Sequence, residues 1–139
     1  MTPSNARGIN RLYLPAVSLI GLLLTGCASS PSAVFEKIEA AAKAGKAEEF
    51  ASYFSEDSRP FAAALLSLYV SNASATGPVS KPLDLLTRST VEEERIEGQR
   101  AFVMVKTPTG TKRNIVFIQD EKNAWKLDVA QTEKLNAEK

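Results

Sequence analysis

The spacing of apolar residues divides the chain into a leader, a helical half and a strand half. Residues 12–24 form a nearly continuous apolar run. Over residues 31–87, apolar positions recur every three or four residues, which indicates amphipathic helices. Over residues 90–129 they alternate with polar positions, which indicates β-strands. This order predicts an α+β domain in which the helices precede the sheet.

Two helices are predicted at the start of the helical half. The first begins at Pro31, with Ser30 as its cap, and ends at Gly45, which can adopt the left-handed conformation. A second, short helix carries Phe50 and Phe54 four residues apart, on one face.

A third helix is apolar on nearly every side over residues 61–70, after a predicted cap at Ser58. A helix of this kind is usually buried, and the alternative is a patch that touches the membrane or a partner. Residues 71–82 have the composition of a loop. Leu83 and Leu86 then return the chain to the core, as a short turn of helix or the start of a strand.

The strand half predicts an antiparallel meander. Its four strands cover residues 91–97, 101–106, 114–119 and 124–129. Short turns at Gly98, at Gly110 and at residues 120–123 join them. The last polar residues, 131–139, are predicted to be a frayed or weakly helical tail.

Alternation along the second strand assigns its side chains to two faces. Ala101, Val103 and Val105 point one way, and Phe102 and Met104 point the other. One layer of helices covers only one face of a sheet. We expect the face with Phe102 and Met104 to be a partner surface or a homodimer contact. Cover by curvature or by the C-terminal tail is the alternative.

The leader has the layout of a bacterial export signal. Arg7 and Arg11 are the only charged residues before Cys27, and the apolar run after them is short for a membrane span. The run closes on Leu24-Thr25-Gly26-Cys27, an aliphatic residue, two small residues and the only cysteine. This tetrapeptide resembles the lipobox of bacterial lipoproteins.

The lipobox resemblance implies a diacylglycerol thioether on Cys27, cleavage before it, and acylation of the new amine. Residues 1–26 would be the removed signal peptide, residues 27–30 the lipidated cysteine with a short tether, and residues 31–130 a single domain. Ala28 is similar to the pattern of lipoproteins sent to the outer membrane, where the domain would face the periplasm. The alternatives are a plain secretory signal with a free cysteine, or an uncleaved anchor.

The amino-acid composition limits the kinds of partner and site that the part after the signal peptide can have. The chain has 139 residues, a formal net charge of +1, one cysteine and no histidine. The near-neutral charge argues against a nucleic-acid partner. The lack of histidine and of a second cysteine argues against a zinc or transition-metal site. We therefore expect no metal, and no cofactor other than the acyl chains on Cys27.

The order of elements also resembles a known fold family. The features that carry it are the Phe50/Phe54 helix before Ser55-Glu56-Asp57, the Gly98 hairpin before Ala101-Phe102-Val103, and Trp125 in the last strand. They are similar to the cone-shaped, cystatin-like family of nuclear transport factor two and ketosteroid isomerase, and to its small bacterial lipoprotein domains of uncharacterised function. The resemblance implies helices packed on a curved antiparallel sheet.

Members of that family often hold a pocket between the helices and the sheet. The candidate wall residues are Phe50, Tyr53, Phe54, Phe61, Tyr69, Phe117 and Trp125. Ordinary core packing explains the same aromatic residues. Among the acids, Asp84 lies between leucines and is the one that could face a pocket, unless it caps a helix or is solvated.

We expect a non-enzymatic, lipid-anchored envelope domain that binds a protein partner or a small ligand. One alternative is a ketosteroid-isomerase-like enzyme acting on a small apolar substrate. It would need an enclosed cavity of at least ~300 Å³ with an inward acid or tyrosine. The other alternative is a structural accessory of an envelope machine.

Overall fold

The computed structural model describes residues 28–71 and 80–138. Its helices are α1 (Pro31–Lys43), α2 (Ala47–Ser52), α3 (Arg59–Ser71), α4 (Ser80–Arg88) and α5 (Val129–Ala137), with a 3-10 turn at Glu56–Ser58. Its strands are β1 (Thr90–Glu97), β2 (Arg100–Lys106), β3 (Lys112–Gln119) and β4 (Trp125–Leu127). The lipobox residues Leu24, Thr25, Gly26 and Cys27 lie outside the described residues.

The predicted fold class is confirmed. Helices precede an open antiparallel sheet of four strands in the order β1-β2-β3-β4, which is the meander expected from the alternating pattern. The β1–β2 hairpin closes between Glu97 and Arg100 through a two-residue turn. Gly98 opens that turn with φ 62°, a left-handed conformation that glycine adopts without a steric penalty.

Helix α1 has the predicted boundaries. The Ser30 hydroxyl oxygen accepts from the Ala33 amide at 3.2 Å. At the other end Gly45 has φ 67°, and the Lys46 amide donates to the Ala41 carbonyl at 3.0 Å. This pattern satisfies carbonyls that the last helical turn leaves without partners.

The core lies between the helices and one face of the sheet, called the inner face here. Ala101, Val103 and Val105 of β2 are fully buried on it. From the helices, Phe35 and Ile38 of α1 reach the same cluster. The predicted division of the β2 side chains between two faces is therefore correct.

The C-terminal segment is a correction to the predicted frayed or weakly helical tail. It forms helix α5, so the fold extends to residue 137. Asp128 caps it by accepting from the Gln131 amide at 2.9 Å. Ser58, predicted as the cap of α3, instead accepts from the Val129 amide at 3.0 Å and joins α5 to the helical layer.

Helix α3 is a second correction. Its buried side is formed by Ala62, Leu65 and Leu66. Phe61 and Val70 are 47% and 58% exposed, so the helix is not buried on all sides. Within residues 28–71 and 80–138, neighbouring elements cover one side of it, and apolar composition does not specify which.

Candidate functional site

Four of the predicted pocket residues converge in the core. Phe50, Phe54 and Phe117 are fully buried, Trp125 is nearly so, and the rings of Phe50 and Phe54 are 4.9 Å apart. They fill the space between the helices and the inner face, where the pocket was expected. Their arrangement matches ordinary core packing rather than the walls of a cavity.

The other three predicted wall residues do not join them. Phe61 faces outward from α3, and the side chain of Tyr69 lies outside the described part. Tyr53 is half-buried, and its hydroxyl lies 3.4 Å from Glu49 Oε1. Burial, and then the Glu49 carboxylate, raise the pKa of Tyr53 above its ordinary 10.0. Its phenol is therefore protonated at neutral pH and is a poor general base.

Asp84 does not face the core either. Its side chain is 42% exposed and lies 3.6 Å from the Arg88 guanidinium one helical turn later. Both residues line an open cleft of about 560 Å³ together with Thr107 and Arg113. Leu83 and Leu86 are buried in the core, whereas Leu85 is half-buried and lines the same cleft as Asp84.

Phe102 and Met104 lie on the outer face of the sheet, as predicted, and both are half-buried. The Arg95 guanidinium carbon is 4.9 Å from the centre of the Phe102 ring. Such a contact adds a favourable cation–π term and shields part of the ring. Helix α5 covers another part of this face, because its Thr132 hydroxyl accepts from the buried Val116 amide at 2.9 Å.

A groove remains between Phe102 and α5 and has a volume of about 370 Å³. We call it the outer-face groove. It is lined by the apolar side chains of Phe102, Val116 and Leu135 and by the polar side chains of Arg100, Gln131, Lys134 and Glu138. Met104 is not among its lining residues. Of the two residues predicted as one surface, only Phe102 therefore lines this groove.

Sequence reasoning identified Phe102 but missed the other residues of the outer-face groove. Strand alternation places Val116 on the same face, because the sheet register pairs it with Phe102. Leu135 gave no such signal, since it is one apolar residue in a polar segment.

Within residues 28–71 and 80–138, no group of three or more His, Cys, Asp and Glu residues could hold a metal ion. No helix of that part combines the length and apolar character needed to cross a membrane. Comparisons with protein-family models, curated proteins and solved structures found no match to this chain. Both family resemblances therefore rest on the sequence features that carry them.

Proposed function

We propose that this chain is a lipid-anchored lipoprotein of the bacterial envelope whose domain binds a protein partner, without catalysis, through the outer-face groove. The residues that line the groove are the observation that supports a binding role. Phe102 and Leu135 give it an apolar floor, while Arg95, Arg100 and Lys134 surround that floor with positive charge. Apolar centres with polar rims are typical of protein–protein contacts, and arginine is enriched in them.

The charges of the groove favour a particular partner. Arg95 lies 3.1 Å from Glu97 and Glu138 is at the groove, so the positive charge is only partly neutralised. A segment with an aromatic or aliphatic side chain flanked by carboxylates would complement it. A second copy of this chain is the other candidate occupant.

The lipid anchor is supported by the sequence around Cys27 and by the start of the fold. Leu24-Thr25-Gly26-Cys27 follows a basic and then apolar leader. Helix α1 begins at Pro31, so few residues separate the proposed acyl chains from the folded domain. The groove would then act close to a bilayer, most simply on the periplasmic side of the outer membrane.

The absence of catalysis is supported by what occupies the expected pocket. The rings of Phe50, Phe54 and Phe117 take up the space that a ketosteroid-isomerase-like substrate would need. The candidate acid Asp84 is paired with Arg88 at the surface. A binding role requires neither an enclosed cavity nor a titrating group.

Mass spectrometry of the purified protein tests the anchor. We expect Cys27 at the N-terminus, carrying diacylglycerol and an N-acyl chain. In a Cys27→Ser variant, the acyl chains should be lost and processing at this site should stop. An unmodified Cys27, or cleavage elsewhere, would refute the anchor.

Photo-crosslinking in intact cells tests the binding role. A photoreactive residue at position 102 or 135 should give one shared adduct, and Arg100→Glu should abolish it because it reverses a groove charge. Position 96 is the matched control, since Ile96 is 52% exposed on β1 but its side chain points to the opposite face from Phe102. Equal adducts from all three positions, or none from 102 and 135, would refute the groove as a binding site.

A further inference from the structure

A second cleft lies beside the place where the chain leaves the domain. It has a volume of about 350 Å³ and is lined by Ala28, Ser29, Lys37, Tyr53, Lys122 and Lys126, among others. We call it the anchor-side cleft. We propose that it binds the phosphate groups of anionic membrane lipids and thereby fixes the orientation of the domain on the bilayer. This inference rests on the proposed lipidation of Cys27.

The position of the tether is the first support. The Ser29 hydroxyl oxygen accepts from Lys37 Nζ at 2.7 Å, so the tether lies along α1. Ala28 lines the cleft, and Cys27 is the residue before it. Successive Cα atoms are about 3.8 Å apart, so acyl chains on Cys27 would be attached one residue from the lining of the cleft. The lipid headgroups nearest the anchor would then face it.

The charge of the cleft is the second support. In the described part of the chain, its lining contains three lysines and no carboxylate. Two nearby acids already have hydrogen-bond or ion-pair partners, although Asp120 also interacts electrostatically with Lys122 and Lys126. Asp120 accepts from the Lys122 and Ala124 amides at 2.9 Å, and Glu49 pairs with Lys46 at 3.1 Å. Glu121 lies in the same turn as Lys122 but does not line the cleft.

Two of the ammonium groups are held in place before any ligand binds. Lys37 Nζ donates to Ser29, and Lys126 Nζ donates to the Ser52 carbonyl at 2.6 Å. An ammonium group has three N–H donors, so each retains two for a phosphate oxygen. Holding the lysine side chains in position reduces the entropy lost on binding. An acyl anchor combined with a basic patch is also a recognised way to strengthen membrane attachment.

Amine acetylation of the vesicle-bound protein tests this proposal. The purified, full-length processed lipoprotein is reconstituted in pure phosphatidylcholine or in equal parts of phosphatidylcholine and phosphatidylglycerol. A water-soluble acetylating reagent is added, and the labelling rate of each lysine is measured by mass spectrometry. We expect Lys37, Lys122 and Lys126 to react about fivefold more slowly on the anionic vesicles. Chloride at ~1 M, where the Debye length is about 3 Å, should remove the difference.

The remote lysines Lys43, Lys106 and Lys112 are internal controls, since all three are exposed and none lines the cleft. Their rates should be the same on both kinds of vesicle. Equal rates for the cleft lysines on both vesicles, or equal protection of the control lysines, would overturn the proposal.

Matched variants separate this proposal from the proposed anchor. The intact mass of the same preparation shows whether Cys27 is acylated. If it is not, the anchor fails, and co-sedimentation of that preparation with the same vesicles still tests the cleft. Changing Lys37, Lys122 and Lys126 together to glutamine should then abolish the preference for anionic vesicles. The same change at Lys43, Lys106 and Lys112 should leave it intact, and equal losses in both variants would refute a specific cleft.

Discussion

The two edges of the sheet differ. At one edge, β1 is exposed and carries charged side chains. At the other edge, β3 extends past the short β4, and α5 covers the part of β3 that β4 leaves unpaired. An unpaired strand edge can pair with another chain, and folded proteins protect it with charge, bulges or a covering element. In this sheet, charge and a register shift protect the β1 edge, and a covering helix protects the β3 edge. The domain therefore depends on its C-terminal residues at the β3 edge.

The β1 edge is protected by charge and by an irregularity. Glu92 Oε2 lies 2.8 Å from Lys112 Nζ, and the register with β2 shifts between Val91 and Glu93. Nearly every residue of β1 is exposed. An added strand would have to accommodate these charges and the bulge, so pairing there is unfavourable without any cover.

The β3 edge is covered by side chains that replace a neighbouring strand. The Asn136 side-chain amide accepts from the Asn114 N–H at 3.2 Å and donates to the Asn114 carbonyl at 2.8 Å. The Thr132 hydroxyl oxygen accepts from the Val116 N–H. Residues four apart on a helix are separated by about 6 Å along its axis, and alternate strand residues by about 6.8 Å. The two spacings match closely enough for one helix face to bond with one strand edge.

Removal of α5 should have the largest effect of the changes considered. A chain that ends at Asp128 loses three side-chain bonds to β3 and the bond between Val129 and Ser58. At about 1 kcal/mol for each of these four bonds, the free energy of unfolding should fall by roughly 4 kcal/mol. Urea denaturation followed by the fluorescence of Trp125, the only tryptophan, measures this.

The same truncation should expose the β3 edge to other molecules. We expect concentration-dependent association in size-exclusion chromatography. A chain that ends at Ala137 keeps the helix and is the matched control, with stability within about 0.5 kcal/mol of the full chain. A truncated protein that is as stable and as monomeric as this control would show that α5 does not protect the edge.

One hydrogen bond at the β3 edge depends on the hydroxyl group of Thr132. Thr132→Val keeps the shape of the side chain but leaves the buried Val116 amide without its partner. The expected loss is about 2 kcal/mol, the cost of an unsatisfied buried donor. Thr132→Ser retains the hydroxyl and should lose less than about 1 kcal/mol, the value of one buried methyl group. Equal losses in the two variants would show that packing, rather than the hydrogen bond, is what matters.

The fold could be predicted from the sequence where burial imposes a pattern. Alternation placed Val103 on the core side and Phe102 on the outer face because one side of β2 contacts the helices. Helix α5 has no such pattern. Its buried residue is Thr132 and its other contact with β3 is through Asn136, and these polar residues produce no hydrophobic periodicity. The outer-face groove depends on where α5 lies, so Phe102 alone of its lining residues was predicted from the sequence.

The β1 edge has its own tie to the helices, which should matter less than α5. Glu94 Oε2 accepts from the Ser32 amide at 2.7 Å, at the N-terminus of α1. A carboxylate there satisfies a free N–H and interacts favourably with the helix dipole. Glu94→Ala should therefore lower the free energy of unfolding by about 1 kcal/mol. Glu94→Gln keeps a hydrogen-bond acceptor, so its free energy of unfolding should fall less. Glu93→Ala should leave the free energy of unfolding nearly unchanged. A Glu93→Ala loss as large as that of Glu94→Ala would contradict the assigned contact.

The smallest expected effect is the titration of Glu92 at the same edge. The hydrogen bond from the Lys112 ammonium holds the pKa of Glu92 below its ordinary 4.5. The ion pair therefore stabilises the fold above that pH, and the contribution is lost as the pH falls through the lowered pKa. Carboxyl NMR should show the pKa of Glu92 rising in Lys112→Gln and unchanged in the control Lys43→Gln, with salt reducing the shift. If Lys112→Gln leaves the titration unchanged, the ion pair does not form in solution. The β1 edge would then rely on its bulge and like charges alone, whereas the β3 edge would still need α5.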